Sequence, residues 1–309
     1  MSIDFSSAKG LAIDEGVVTQ VADEAGNVLW KLKTSEPVVL EVEKITATTY
    51  AGETSYTDEE FILLDIYPKT NGTVSITYEG LSKTVTDTSG AEEPNAKQVF
   101  FGTFNGVSDG VATPASGTLV IEGEAHGFSV GTYAPNSKGF TSRCSCVTGI
   151  HSFGSMNEIP SSCFYLCDKI AIDGLPNTIT TIGSAAFMDC HGLKFNDNFL
   201  KNGLTSIGGS AFSFNRADDT YRIFFDSITI PETVTYIGST AFGGPVIDAY
   251  TQALFKRVIL RPKVPPVVGG SPFGEKIDGL TFVVPKGCGT AYKSAEGWSK
   301  YANSIQEEV

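Results

Sequence analysis

Ile179-Thr180-Thr181-Ile182-Gly183-Ser184-Ala185-Ala186-Phe187 is echoed by Leu204-Thr205-Ser206-Ile207-Gly208-Gly209-Ser210-Ala211-Phe212 and again by Val234-Thr235-Tyr236-Ile237-Gly238-Ser239-Thr240-Ala241-Phe242. Three copies of one motif mark a repeat architecture. Weaker copies flank them, Met156 to Phe164 before and Val268 to Phe273 after, so the closing phenylalanines stand 23, 25, 30 and 31 residues apart. That range fits a leucine-rich solenoid with loop insertions in its later turns. Each turn offers apolar residues three apart, a glycine where the backbone turns closely, and an Ala-Phe pair that sets a small and a large side chain inward. Stacked turns share a core that no turn forms alone. Between the copies run apolar segments that end in proline: Ser227 to Pro231, Arg257 to Pro262 and Thr281 to Pro285. Proline lacks the ladder donor, so it stops each strand where the chain leaves the sheet.

Upstream, residues 38–135 alternate short apolar runs with turn signals. Phe61 to Tyr67, Thr73 to Tyr78, Leu81 to Val85, Gln98 to Phe104, Thr118 to Ile121 and Gly127 to Tyr133 are separated by Asn71-Gly72, Glu79-Gly80, Asn105-Gly106 and Glu122-Gly123. This cadence predicts an immunoglobulin-like β-sandwich without a long helix. The sequon Asn71-Gly72-Thr73 is read as a turn. Further upstream, Val17 to Val21 and Val28 to Leu32 flank the turn cluster Asp23 to Asn27, which predicts a β-hairpin. An isolated hairpin is marginal in water, so it must dock on the rest of the chain or on another subunit. The predicted fold is therefore mainly β: a hairpin over 1–36, a sandwich over 37–140, and a repeat solenoid over 141–309 closed by a short C-terminal helix.

The 309 residues carry 22 Lys and Arg against 35 Asp and Glu, a net charge of −13. Such a chain repels phosphate backbones and anionic lipid, which argues against nucleic acid as a partner. With 41% hydrophobic and 18% charged residues and 33 glycines, it is a folded, turn-rich sequence. No run approaches the roughly 18 apolar residues of a membrane helix, so no membrane insertion is expected. The opening Met1-Ser2-Ile3-Asp4-Phe5 lacks the basic and apolar segments of a secretory signal.

The triplicated motif resembles the BspA-like leucine-rich repeats of bacterial surface proteins. Val284-Pro285-Lys286-Gly287, Ala291-Tyr292-Lys293 and Gly297-Trp298-Ser299-Lys300-Tyr301-Ala302 also look like that family's closing segment, and the resemblance covers roughly 143–309. It implies adhesion without enzymatic activity. The opening Ile3 to Lys9, with Val17 to Val21 and Gly26 to Trp30, resembles the start of structural proteins of phages and prophages of Gram-positive bacteria. That second, shorter resemblance implies a virion protein made in the host cytoplasm and released by lysis.

Candidate chemistry is sparse. Of the six cysteines, Cys167 and Cys190 each lie three residues after a repeat phenylalanine, and Cys163 takes the slot of alanine in other copies. Stacked equivalent slots point to packing, since free cysteine behaves as a small buried hydrophobe. Cys288 falls near the end of the chain, and Cys144 and Cys146 with His151 have a faint metal-site look without zinc-finger spacing. His126, His151 and His191 are read as surface or loop residues. The acidic groups Asp58-Glu59-Glu60, Glu92-Glu93 and Asp218-Asp219 are read as solvated loop charges rather than glycosidase carboxylates or calcium ligands. No metal, cofactor or catalytic residue is expected.

Recognition is expected on the insertions, since insertions in a solenoid gather on one face. Arg216, Asp218, Asp219, Tyr221 and Arg222 are the candidate binding residues in the first, and Gly243 to Phe255 forms the second. The expected role is a virion structural protein, associated with a tail or fibre, that turns its repeat surface toward a bacterial surface protein or glycan. Its N-terminal segment would dock on other virion proteins or on further copies as a homo-oligomer. The alternative is a BspA-like adhesin on a bacterial cell surface, with an export signal outside this sequence. A glycan-processing enzyme, the third reading, would need a carboxylate pair that no spacing reveals.

Overall fold

Val, Ile, Thr and aromatic residues fill the apolar runs, and the fold is mainly β. The computed structural model describes residues 10–14, 17–22, 28–31, 36–51, 55–69, 71–87, 96–104, 106–110, 112–123, 125–129, 146–214, 225–247 and 250–309. Two units separate by internal contacts, Met1–Glu36 and Pro37–Val309. In the first, β1 (Gly10–Asp14), β2 (Val17–Ala22) and β3 (Val28–Lys31) form an antiparallel sheet in the order β1-β2-β3. The hairpin read from the sequence is the β2–β3 pair, with Val21 opposite Trp30. β1 is an addition to it.

The second unit opens with β4 (Val38–Glu43), β5 (Ile45–Ala51), β6 (Ser55–Pro68), β7 (Thr73–Tyr78) and β8 (Leu81–Thr86). It continues with β9 (Lys97–Phe104), β10 (Val107–Ser108), β11 (Ser116–Gly123), β12 (Ala125–Ser129) and β13 (Val147–Ser152). One sheet runs β13-β4-β11-β7-β8; the other runs β10-β9-β6-β12, with β5 also paired to β6. Alternation sends Val38, Leu40 and Val42 of β4 and Val74, Ile76 and Tyr78 of β7 inward. From the opposite sheet Phe101 meets Tyr78 at 5.8 Å, and Ile62 is its cross-strand partner. Phe61 to Leu64 are buried without alternation, which explains their unbroken apolar run. Glu79 and Gly80, at φ of 44° and 84°, make the two-residue turn between β7 and β8. β13 lies beyond residue 140 yet pairs with β4, and one hydrophobic cluster extends from Val38 to Ile305.

The repeats follow as β14 (Glu158–Ile159), β15 (Thr181–Ile182), β16 (Ser206–Ile207), β17 (Phe225–Ile230) and β18 (Tyr236–Ile237). Then come β19 (Gly243–Ile247), β20 (Tyr250–Ala253), β21 (Phe255–Leu260), β22 (Val267–Val268), β23 (Thr281–Val284) and β24 (Ile305–Glu307). Two parallel sheets result, β14-β15-β16-β18-β22 and β17-β21-β23-β24. The proline-ended segments are β17, β21 and β23, and Pro231 and Pro285 stand directly after their strands. The second insertion contains the antiparallel ribbon β19–β20.

Between the sheets the predicted register is visible in the rings. Phe164, Phe187, Phe212, Phe242 and Phe273 stack in one column at centroid distances of 5.0, 5.4, 5.3 and 5.4 Å, with interplanar angles between 2° and 12°. Backbone bonds tie each rung to the next: the N–H groups of Phe164, Phe187 and Phe212 donate to the carbonyls of Ala186, Ala211 and Ala241. The motif glycine serves close approach, since a Cβ on Gly208 would lie 2.5 Å from the backbone nitrogen of Ser184 in the rung before. The left-handed turn falls two residues later, at Ser162, Ala185, Ser210 and Thr240, with φ between 51° and 56°. There the N–H groups of Ser162, Ala185 and Ser210 reach carbonyls of the following rung at 2.8–2.9 Å.

Past the last rung, α1 (Gly289–Ser294) and a 3-10 turn over Ser299–Ser304 bring aromatic side chains against the column's end. Trp298 is fully buried, lies 6.1 Å from Phe273, and donates its indole N–H to Pro266 O at 2.7 Å. Tyr292 donates its hydroxyl to Pro262 O at 2.7 Å. Burial of these polar tips is thus matched by hydrogen bonds.

Candidate functional site

Arg216, Asp218, Asp219, Tyr221 and Arg222 lie outside the described residues, as do Glu92, Glu93 and Cys144. The ends of the first insertion are described. The Phe214 N–H donates to Gly243 O at 2.9 Å, and the Phe225 N–H donates to Leu254 O at 2.8 Å. The insertion therefore leaves and rejoins the rungs beside the ends of the β19–β20 segment.

Three other sequence expectations meet the structure residue by residue. Cys163, Cys167 and Cys190 are buried in the column's layers, with Cys163 in the row of Ala186, Ala211 and Ala241. No disulfide joins the described cysteines. Burial pushes the thiols of Cys163 and Cys190 up, and that of Cys146 up to about 12. Cys146 turns inward toward Leu63 O, whereas His151 is exposed on β13 with Nε2 3.9 Å from Glu41, so the suggested metal pair is not brought together. His191 lies in a turn, as a loop residue should, and only its exposure is a correction: its side chain is 6% exposed, with Nδ1 3.1 Å from Asp168 Oδ1 and its ring 5.2 Å from Phe214. Glu59 is another, because it is buried in β6 and accepts the Gly106 N–H at 2.7 Å. Its neighbour Glu60 pairs with Lys44 at 2.5 Å. Strand pairing with β5 overrides the low β propensity of these acidic residues.

Two clefts open side by side, the first between β13 and the early turns of the repeat region and the second on later turns. The first, about 680 Å³, is lined by residues that include His151, Ser152, Phe153, Asp173, Pro176 and Thr178. The second, about 580 Å³, includes Asp197, Asn202, Thr229, Pro231, Glu232 and Arg261. They meet at Asn198 and Lys201, which line both. Asn196 shapes the junction: its side-chain Oδ1 accepts the Asn198 N–H at 2.8 Å, and its Nδ2 donates to Asp173 O at 2.8 Å in the preceding rung. Asp197 accepts the Ser227 hydroxyl at 2.6 Å, and Arg261 pairs with Glu308 at the far end. Leu175, Leu200 and Pro231 are buried beneath, while Asp173, Asn198, Asn202 and Glu232 are exposed and Lys201 is half-buried. Among the described residues, those last five side chains make no hydrogen bond or ion pair with the protein. Both clefts are open to solvent, with a buried apolar base and exposed polar groups that the protein leaves uncommitted.

Sequence reasoning looked to the longest insertions and passed over this short polar run. The recurring Leu175-Pro176, Ile230-Pro231 and Val284-Pro285, each followed by Asn, Glu or Lys, is the signal that could have located it. No protein-family model matches the chain, and no curated protein matches it.

Proposed function

We propose that this chain is a non-enzymatic structural protein of a virion, associated with its tail or fibre, that displays a leucine-rich repeat solenoid to a bacterial surface. In this reading an immunoglobulin-like sandwich carries the solenoid, and the N-terminal unit docks on other virion proteins. The observation that carries it is the continuity of the core from Val38 to Ile305, one hydrophobic cluster shared by the two parts of the second unit among the described residues. A shared core suits a display element, because a surface held in place loses less entropy on binding. The resemblance of the opening residues to phage and prophage structural proteins supplies the location, and that of the repeats to surface proteins supplies the contact.

The repeat resemblance taken alone favours a second reading, an adhesin of a bacterial cell surface. Electron microscopy with gold-labelled antibody to this chain separates the two. Label on particles released by lysis supports the virion reading, and label confined to the surface of uninfected cells replaces it with the adhesin.

A further inference from the structure

We infer that the paired clefts meeting at Asn198 and Lys201 form one groove that binds a neutral, linear glycan. The inference deepens the display reading by naming what the displayed surface holds, and it rests on that reading for where the ligand is met.

The lining selects the ligand class by what it lacks as well as by what it offers. Asp173, Asp197, Glu232 and Glu308 put carboxylates along the groove of a chain that already carries a net charge of −13. A polyanion, whether nucleic acid or an acidic polysaccharide, meets repulsion there. An extended peptide is captured by pairing with a strand edge. The groove offers such an edge only at Ile150 to Ser152 of β13 and takes the rest of its residues from successive repeat segments, Asp173 to Thr178, Asn196 to Asn202, Thr229 to Glu232 and Arg261.

A sugar hydroxyl both donates and accepts, and the uncommitted side chains supply both partners. Asn198 and Asn202 offer amide N–H and carbonyl groups, Lys201 offers donors, and Asp173 and Glu232 offer acceptors. Phe153 and Pro176, both half-buried in the first cleft, present apolar surface to the C–H faces of the rings. These features recur from rung to rung at about 4.8 Å, so four rungs from Asp173 to Arg261 extend about 15 Å. A polymer of short, similar units matches such a row better than a single compact molecule does.

The test uses the full chain and calorimetric titration with neutral hexasaccharides of glucose, mannose and N-acetylglucosamine, beside a hexamer of galacturonic acid. At least one neutral hexasaccharide is expected to bind, more tightly than its trimer and more tightly than the acidic hexamer. Asn198→Ala combined with Lys201→Met should weaken that binding at least tenfold at an unchanged melting temperature. Glu232→Ala, a single change at an exposed side chain, should weaken it several-fold and serves if the double variant misfolds. Failure of every neutral hexasaccharide to bind, tighter binding of the acidic hexamer, or indifference to the folded variants overturns the groove assignment. Attachment of the purified chain to bacterial cells is measured in parallel. Attachment without any hexasaccharide binding removes the groove and leaves the display reading, whereas groove binding without attachment to any cell supports the groove and removes display.

Discussion

Phe212 has aromatic rings on four sides: Phe187 and Phe242 stack on its faces at 5.4 and 5.3 Å, and Phe195 and Phe199 meet it at steep angles at 5.5 and 5.8 Å. Replacing it by alanine removes a fully buried ring that its neighbours cannot all move in to fill. Phe212→Ala should therefore cost about 3–5 kcal/mol, read as a lower urea midpoint. A midpoint equal to that of the exposed control Lys263→Ala would refute the packing. Cys163 invites the opposite expectation, because alanine already fills its row in three other rungs. Its thiol titrates higher when folded than when unfolded, so the stability it contributes is complete below the ordinary thiol range near pH 9 and is lost as pH rises toward the raised value. Cys163→Ala should leave the fold intact and flatten the alkaline fall in stability by up to about 1.4 kcal/mol per pH unit. Thermal melts from pH 7 to 11 decide this, and an unchanged alkaline slope would count against the buried thiol.

Strands that alternate or run apolar over several residues were legible from sequence, as β7, β8, β9, β17, β21 and β23 illustrate. The two-residue strands β14, β15, β16, β18 and β22 were not, because parallel neighbours rather than local propensity make them strands. The Ser55 to Glu60 half of β6 was hidden by its acids for the same reason. The phenylalanine register could be read because it repeats; the groove could not, because its polar residues gather only when turns from distant rungs stack. β8 ends its sheet, and there Lys83 points its ammonium over Phe100 and Phe101, at 4.7 and 4.9 Å, and to Asp109 at 3.2 Å. A lysine on an edge strand discourages pairing with another chain. Lys83→Val should cost about 1–2 kcal/mol and promote self-association. Light scattering across a concentration series is the check, and a variant as monodisperse as the parent would remove this role.

Residues 1–36 and 37–309 separate by internal contacts. A chain that begins at Pro37 should accordingly keep its own cooperative unfolding transition, within about 2 °C of the parent's, since it retains its own core. On the virion reading it should also fail to enter particles, and normal incorporation would withdraw the docking role from the N-terminal unit. The sealed end of the column has a mechanical consequence. Hydrogen bonds between rungs lie along the stack, so a force drawn through Val309 loads them one rung at a time, as a zip is loaded, instead of all together. Trp298 and Tyr292, hydrogen-bonded to Pro266 and Pro262, are the catch on that zip. Pulled from its C-terminus in an optical trap, the chain should yield first in one event as β24 leaves β23 and the catch opens, and afterwards lengthen in steps of one repeat, about 8–11 nm each at roughly 3.4 Å per residue.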